Sequence, residues 1–475
     1  MNLVVMKFGG TSVGDPAAIR RTAAIVAGRV FQGKSPIVVV SAMAKVTDQL
    51  LRAADAASQG DRAGALAISS RLRSRHRDTV CELLKTEAER KDLIITVDQK
   101  FDALDEILRG LAAIQELTPR ISDLIVSFGE RLSSRMVAAT FRELGMNGAH
   151  VDAREVIVTD SQFQKAVPQD DIIDKRAAER LLSLAREGRV PVMGGFIGAN
   201  EAGMTTTLGR GGSDFTGAIV GGAVNADAIE IWTDVDGIMT ADPRVCPDAL
   251  RVKLISFEEA AELAYFGAKV LHPATILPAV KKNIPVYVLN SHNPDCEGTR
   301  IISLAPHCKS PFKSISVKKK LSIIDVVASR MLMTHGYLRQ IFEVFDRHKC
   351  PVDMVSTSEV SVSLTVDSNN QLPEIAADLS KLADVKYEGK KALVCLVGED
   401  IRGQNGIAAQ VFNAVKHVNV RMISQGASEI NMSFMIEEDD ADEAVRSLHN
   451  AFFKEPDPSV FDVEARKPLA AAKSE

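Results

Sequence analysis

No apolar run in this 475-residue chain approaches the roughly 20 residues a membrane span requires, so no transmembrane helix is expected. The apolar start, Leu3 to Met6, is too short for a secretory signal and has no basic region before it. Cys81, Cys246, Cys296, Cys308, Cys350 and Cys395 are scattered without C-x-x-C spacing, which argues against a zinc site or a disulfide framework and for a reducing, cytoplasmic setting. Positive charge never gathers into a block, and with a formal net charge of -5 the chain lacks the basic face that nucleic-acid binding requires. Tryptophan occurs once, at Trp232, where a buried core position is expected. What is present, 46% hydrophobic and 25% charged residues, is the balance of a globular protein of roughly three domains.

Strand-like runs at Ile37 to Val40, Val190 to Met193, Ile229 to Trp232 and Val286 to Leu289 alternate with helical stretches as far as about residue 290. That alternation predicts an α/β unit built on a largely parallel sheet. Between about Leu50 and Met146 the periodicity is helical, with a break at Thr118-Pro119, and reads as an excursion from the sheet. Asn293 to Ser314, with three prolines, reads as a linker.

Beyond the linker the chain repeats itself. Gly336 opens a helix containing Gln340-Ile341-Phe342, and Gly406 opens another containing Gln410-Val411-Phe412. Strands Val352 to Ser356 and Val420 to Ser424 follow, and then Ser358-Glu359-Val360-Ser361 is answered by Ser428-Glu429-Ile430-Asn431. The unit is strand, helix, strand, strand, helix, and it occurs twice.

Several segments are built for anionic ligands. The first strand ends in Lys7-Phe8-Gly9-Gly10-Thr11-Ser12, where bare backbone amides and an ammonium suit phosphate. Gly28 to Ser35 matches the pattern of a nucleotide-binding P-loop but lies between a helix and a strand, the reverse of the order that aims helix amides at phosphates. Gly33 is therefore expected to end a helix, and Lys34 to be a solvated charge near the negative end of its dipole. Thr207 to Asp214 brings glycines, an arginine and a carboxylate to the start of a helix, where helix capping is the alternative role for Ser213 and Asp214. Thr233-Asp234-Val235-Asp236-Gly237 follows a strand, at the end where open α/β sheets bind ligands, although turn chemistry alone also accounts for it.

Together these segments, Ser127-Phe128-Gly129-Glu130 and Phe266-Gly267-Ala268-Lys269-Val270 resemble the aspartate kinases of the amino-acid kinase family, over nearly the whole chain. The repeat resembles the paired ACT regulatory domains of the single-function, lysine-sensitive type. The resemblance implies a mostly parallel central sheet with helices on both faces over residues 1–292, then two ferredoxin-like βαββαβ ACT domains at 314–388 and 389–468. No dehydrogenase extension is expected after Glu475.

The implied reaction is transfer of the ATP γ-phosphoryl group to the side-chain carboxylate of L-aspartate, with Mg2+ accompanying ATP. Lys7 and Asp214 would be catalytic. Ser41, Thr47, Glu130, Arg210 and Ser213 would bind aspartate, with Arg210 on its α-carboxylate and Glu130 on its α-ammonium. Glu130 has a competing explanation, because Ser127 to Glu130 is also a capping-box pattern at a helix start. Lys7, Gly9, Gly10, Ser12, Thr233, Asp234, Met239, Arg244, Lys269 and Val270 would hold ATP. Family members carry tyrosine where Met239 stands, so a phenolic hydroxyl and ring stacking are lost there.

The resemblance also implies a homodimer or dimer of dimers with L-lysine as effector. Its site would comprise Met331, Thr334, Gly336, Tyr337, Leu338, Val352, Asp353, Ser358, Glu359 and Val360. Asp353 and Glu359 supply anionic partners for a cation, or are solvated charges at strand ends. In the second copy Arg421 replaces Asp353, so that copy is not expected to bind a cation in the same way. Two rivals remain: a kinase for another acidic amino acid, against which Thr47, Glu130 and Arg210 argue, and a noncatalytic amino-acid sensor, which should have lost Lys7 or Asp214.

Overall fold

The computed structural model describes residues 1–266, 273–305, 308, 310–327, 335–368 and 371–463. Lys269, Val270, Met331 and Thr334 lie outside the described residues. The chain forms two compact units, one of Met1–Ile238 with Val270–Ala305, the other of Met239–Lys269 with Pro306–Glu475. Among the described residues no helix is long and apolar enough to cross a membrane.

In the first unit seven strands lie side by side in the order Gly148–Val151, Val190–Gly194, Lys34–Val40, Asn2–Phe8, Ala228–Thr233, Val286–Asn290 and Thr299–Ile302. All pairings are parallel except the last. Strands buried on both faces need near-continuous apolar sequence, which is why Asn2–Phe8 reads NLVVMKF with six of its seven residues buried. Lys7 is the polar exception and stands at the carboxyl end. Thr299–Ile302 falls inside the stretch read as a linker, which therefore contributes a strand, antiparallel to Val286–Asn290.

The helical excursion is four helices, Val46–Ser58, Arg62–Leu83, Glu87–Ile114 and Pro119–Glu143. The last begins at the expected break: Thr118 caps it by accepting from the Ile121 amide, and Pro119 has no amide to strand. Residues 127–130 thus lie mid-helix, and the capping-box alternative for Glu130 fails. The Gly28 to Ser35 segment behaves as argued. The helix Pro16–Phe31 ends there, Gly33 takes φ 76°, and a strand follows. Lys34 differs from expectation: its ammonium stands 3.5 Å from the buried carboxylate of Glu230, which Arg29 and the Trp232 indole also engage. Trp232 is buried and stacks on Phe8.

In the second unit a six-stranded sheet runs in the order Met354–Thr357, Ser361–Asp367, Phe312–Val327, Asp384–Gly398, Asn431–Glu437, Met422–Gln425. Gly336 and Gly406 take matching left-handed N-cap conformations, φ 78° and 75°, ahead of helices Tyr337–Arg347 and Ile407–Ala414. Two long strands serve both copies. Leu321 to Val327 pairs with Ser361–Asp367 in the first copy, whereas Ser314 to Lys318 pairs with Leu393 to Val397 in the second. A register shift between Lys318 and Leu321, with Lys320 at φ 62°, separates the halves. The second copy therefore takes its fourth strand from residues 314–318, at the start of the stretch expected to form the first copy, and a boundary at 388/389 falls inside the strand Asp384–Gly398.

Candidate active site

At the carboxyl end of the first unit's sheet a cleft of about 760 Å³ is lined by Lys7, Gly10, Ser41, Thr47, Glu130, Arg210, Ser213 and Asp214, among others. Lys7 comes from the strand Asn2–Phe8, and its stem packs under helix Gly212–Ala223, where a Cβ on Gly217 would stand 3.2 Å from Lys7 Cβ. Its ammonium lies 2.6 Å from Asp214 Oδ1. Gly211, at φ 73°, is the N-cap of that helix, so Ser213 and Asp214 belong to its first turn and are not its caps. Their side chains are left for the cleft.

Gly9 donates its amide to Trp232 O at 3.1 Å, and a Cβ on Gly10 would come within 3.1 Å of Ala42 O. The loop therefore approaches its neighbours as only glycine permits. Ser12 is buried, and its hydroxyl meets that of Ser291, which in turn donates to Thr233 O. Thr233 donates to Asp234 at the end of its strand. Gly10 lines the cleft, whereas Gly9, Ser12, Thr233 and Asp234 sit at the sheet end outside its lining. Met239 and Arg244 belong to the second unit, where Met239 O accepts from Ser314 and the exposed Arg244 guanidinium pairs with Asp242.

Glu130 is 3% exposed. One carboxylate oxygen accepts from the Ala42 amide at 3.2 Å, and the other is buried without a hydrogen-bond partner among the described residues. Burial pushes this carboxyl up to about 8, against the lowering effect of the Ala42 amide. Arg210, by contrast, is exposed at the rim. A buried carboxyl with an open oxygen and an exposed guanidinium in one cleft can take the two charged ends of an amino acid, the ammonium favouring the ionised form of Glu130.

Two residues missed in the sequence build this site. Asp123, seven residues before Glu130 on the same helix, is buried and accepts from the Gln164 amide, the Thr207 amide and the Thr207 hydroxyl at 2.8–2.9 Å. It thereby fixes the strand Thr205–Thr207 that leads to Arg210. Burial raises its pKa more than these bonds lower it. Phe196 lines the cleft at φ 66°, a strained conformation for a bulky residue. The spacing from Asp123 to Glu130, two helical turns, was the available signal for the first; nothing marked the second.

In the second unit Asp353 is not a solvated charge. Its side chain is 6% exposed, with Lys318 Nζ at 2.7 Å and the Tyr265 hydroxyl at 3.5 Å. Gly336 caps its helix, Tyr337 is buried, and Val352 is half-buried. Leu338, Ser358, Glu359 and Val360 are exposed, and the Ser358 hydroxyl meets that of Ser361.

Residues 2–290 match the family described as "Amino acid kinase family", and residues 394–452 match "ACT domain". The lysine-sensitive aspartokinase 3 of Escherichia coli is 37% identical over 462 residues, covering 95% of this chain and 99% of that protein. The solved structure of E. coli aspartokinase III with aspartate and ADP, in the R-state, superposes with a TM-score of 0.82 at 35% identity, over 95% of this chain and 100% of the other. The T-state structure of that enzyme with lysine and aspartate also gives 0.82, at 36% identity over 96% and 100%. This chain belongs to the amino acid kinase family and, within it, to the aspartokinases.

Proposed function

We propose that the cleft phosphorylates the side-chain carboxylate of L-aspartate from ATP, giving aspartyl 4-phosphate, and that L-lysine inhibits through the first ACT copy. The carrying observation is Glu130: a buried carboxyl with one unpartnered oxygen suits an incoming α-ammonium, which would restore its charge. Arg210 takes the α-carboxylate through its planar fork, while Ser41, Thr47 and Ser213 add short polar contacts. The nucleophile is already an anion near neutral pH, so no base is required and the task is to bring anions together. Lys7, steadied by Asp214, and the amide of Gly10 supply positive charge where the phosphoryl group passes, while Gly9, its own amide held by Trp232 O, shapes the loop.

Ser12, Thr233, Asp234, Met239, Arg244, Lys269 and Val270 are proposed to hold the nucleotide. Mg2+ is proposed to come bound to its phosphates, and Asp214 is a hard oxygen ligand of the kind that ion accepts. That ion would neutralise phosphate charge. The effector surface is proposed around Asp353, Ser358 and Glu359 with Met331, Thr334, Gly336, Tyr337, Leu338, Val352 and Val360. We further propose a cytoplasmic homodimer or dimer of dimers, divided as 1–292, 314–388 and 389–468, with the second ACT copy completed by residues 314–318.

A coupled ADP-release assay tests the reading. Release is expected with L-aspartate, is expected to fall when L-lysine is added, and is expected to be absent with N-acetyl-L-glutamate, which has no ammonium for Glu130. Equal release with N-acetyl-L-glutamate would contradict it.

A further inference from the structure

We propose that Arg75 is a positioning residue for phosphoryl transfer, strapping together the two loops that carry the phosphate-facing and substrate-facing groups. This rests on the reading of Lys7, Ser41 and Thr47 given above. Arg75 lies on helix Arg62–Leu83, away from the strand ends, yet it donates from Nη2 to Gly14 O at 2.8 Å and from Nη1 to Ala44 O at 2.9 Å. Gly14 closes the loop that begins after Lys7 and contains Gly9 and Gly10. Ala44 lies in the loop between Ser41 and helix Val46–Ser58, which carries Thr47.

These loops touch. A Cβ on Gly14 would stand 3.2 Å from Ala44 Cβ and 3.2 Å from Gly10 O. A rigid, planar guanidinium donating to one carbonyl of each loop fixes their separation, a task the single ammonium of lysine performs less well. The Ala44 carbonyl also belongs to the peptide that precedes Lys45, and Lys45 holds φ 66°, ψ 3°, a left-handed conformation costly for a residue with a Cβ. Lys45 is the N-cap of helix Val46–Ser58 and makes no side-chain cap, so the peptide Arg75 holds is the one that sets the start of this helix. Thr47 is its second residue. Because both acceptors are carbonyls, the charge of Arg75 is spent on geometry and not on neutralising an acid.

Arg75 also borders a second cleft of about 560 Å³ with Gly14, Ser70 and Ser74, so its place is reachable from solvent once the side chain is shortened. That permits chemical rescue. In the full-length protein, Arg75→Met is expected to lower kcat/KM for aspartate about 10- to 100-fold, the scale for reacting groups misplaced by about an ångström. Arg75→Lys should recover part of the loss. Ethylguanidinium at millimolar concentration should raise the turnover of Arg75→Ala severalfold, while ethylammonium should not.

Near wild-type kinetics for Arg75→Met beside an inactive Lys7→Met would overturn the inference and leave the site reading intact. Full activity of Lys7→Met would instead overturn the site reading on which it rests. If Arg75→Met does not fold, the rescue decides: ethylguanidinium that raises the melting temperature of Arg75→Ala without raising turnover makes Arg75 structural only, and the inference fails.

Discussion

Lys7 Nζ stands 2.6 Å from Asp214 Oδ1, joining the end of the strand Asn2–Phe8 to the first turn of helix Gly212–Ala223 across more than 200 positions of sequence. A lysine has a long, mobile stem. Here its stem is buried beneath a glycine-faced helix and its head is held by one carboxylate, so the ammonium is oriented before any phosphate arrives.

Lys7→Met should accordingly lower turnover by about 100- to 1,000-fold, the scale for losing one preorganised charge donor. Steady-state kinetics with a circular dichroism check of folding measures it. Normal turnover in the folded variant would refute the role.

Glu130 gives a pH signature. Its pKa of about 8 in the folded chain lies above the ordinary 4.5, so between those values the folded protein holds a proton that the unfolded chain has lost. Stability should therefore fall as pH rises across that window, and Glu130→Gln should flatten the slope. Near neutral pH, aspartate binding should release a proton from Glu130 and tighten as pH rises toward 8. Calorimetry in two buffers of different ionisation enthalpy reads the proton, and none released would contradict the ammonium contact.

Asp123→Ala strands the buried Thr207 amide and hydroxyl and frees the partly buried Gln164 amide, at a cost of roughly 2 to 5 kcal/mol of stability. Because the loosened strand leads to Arg210, aspartate KM should rise more than ATP KM. Equal changes in both would make Asp123 a support of the fold alone.

These residues differ in how far the sequence reveals them. That Lys7, Gly10, Arg210 and Asp214 belong together was legible, because glycines and charges at strand ends and helix starts leave local marks, and the structure brings the four to one cleft. Asp123 and Arg75 were not, because each looks like one more polar residue on a helix and acts only through contacts with distant loops. The Ser127 to Glu130 pattern offered a helix start as an alternative role for Glu130, and the helix instead begins at the expected break, at Thr118 and Pro119. The repeat after residue 314 announced two copies of one unit. That the second copy closes with residues 314–318, at the start of the stretch expected to form the first copy, is a matter of long-range pairing, which local pattern does not encode.

The Lys318–Asp353 pair yields a test of the proposed effector surface. An incoming ammonium must compete with Lys318 for the same carboxylate. Lys318→Met should shift lysine inhibition to lower concentration and Asp353→Ala to higher, each by about tenfold or about 1.4 kcal/mol, with uninhibited turnover nearly unchanged. A lysine titration of the three proteins at fixed aspartate and ATP measures this, and superimposable curves would remove Asp353 from the effector site.

The most direct test of the central claim, that this cleft grips an α-amino acid by both charged ends, is the pair of KM values for aspartate and ATP in Arg210→Lys. Lysine keeps the charge but loses the bidentate fork, so the account predicts an aspartate KM raised about tenfold or more with ATP KM unchanged. An aspartate KM equal to that of the wild type, in a folded variant with normal turnover, would contradict it.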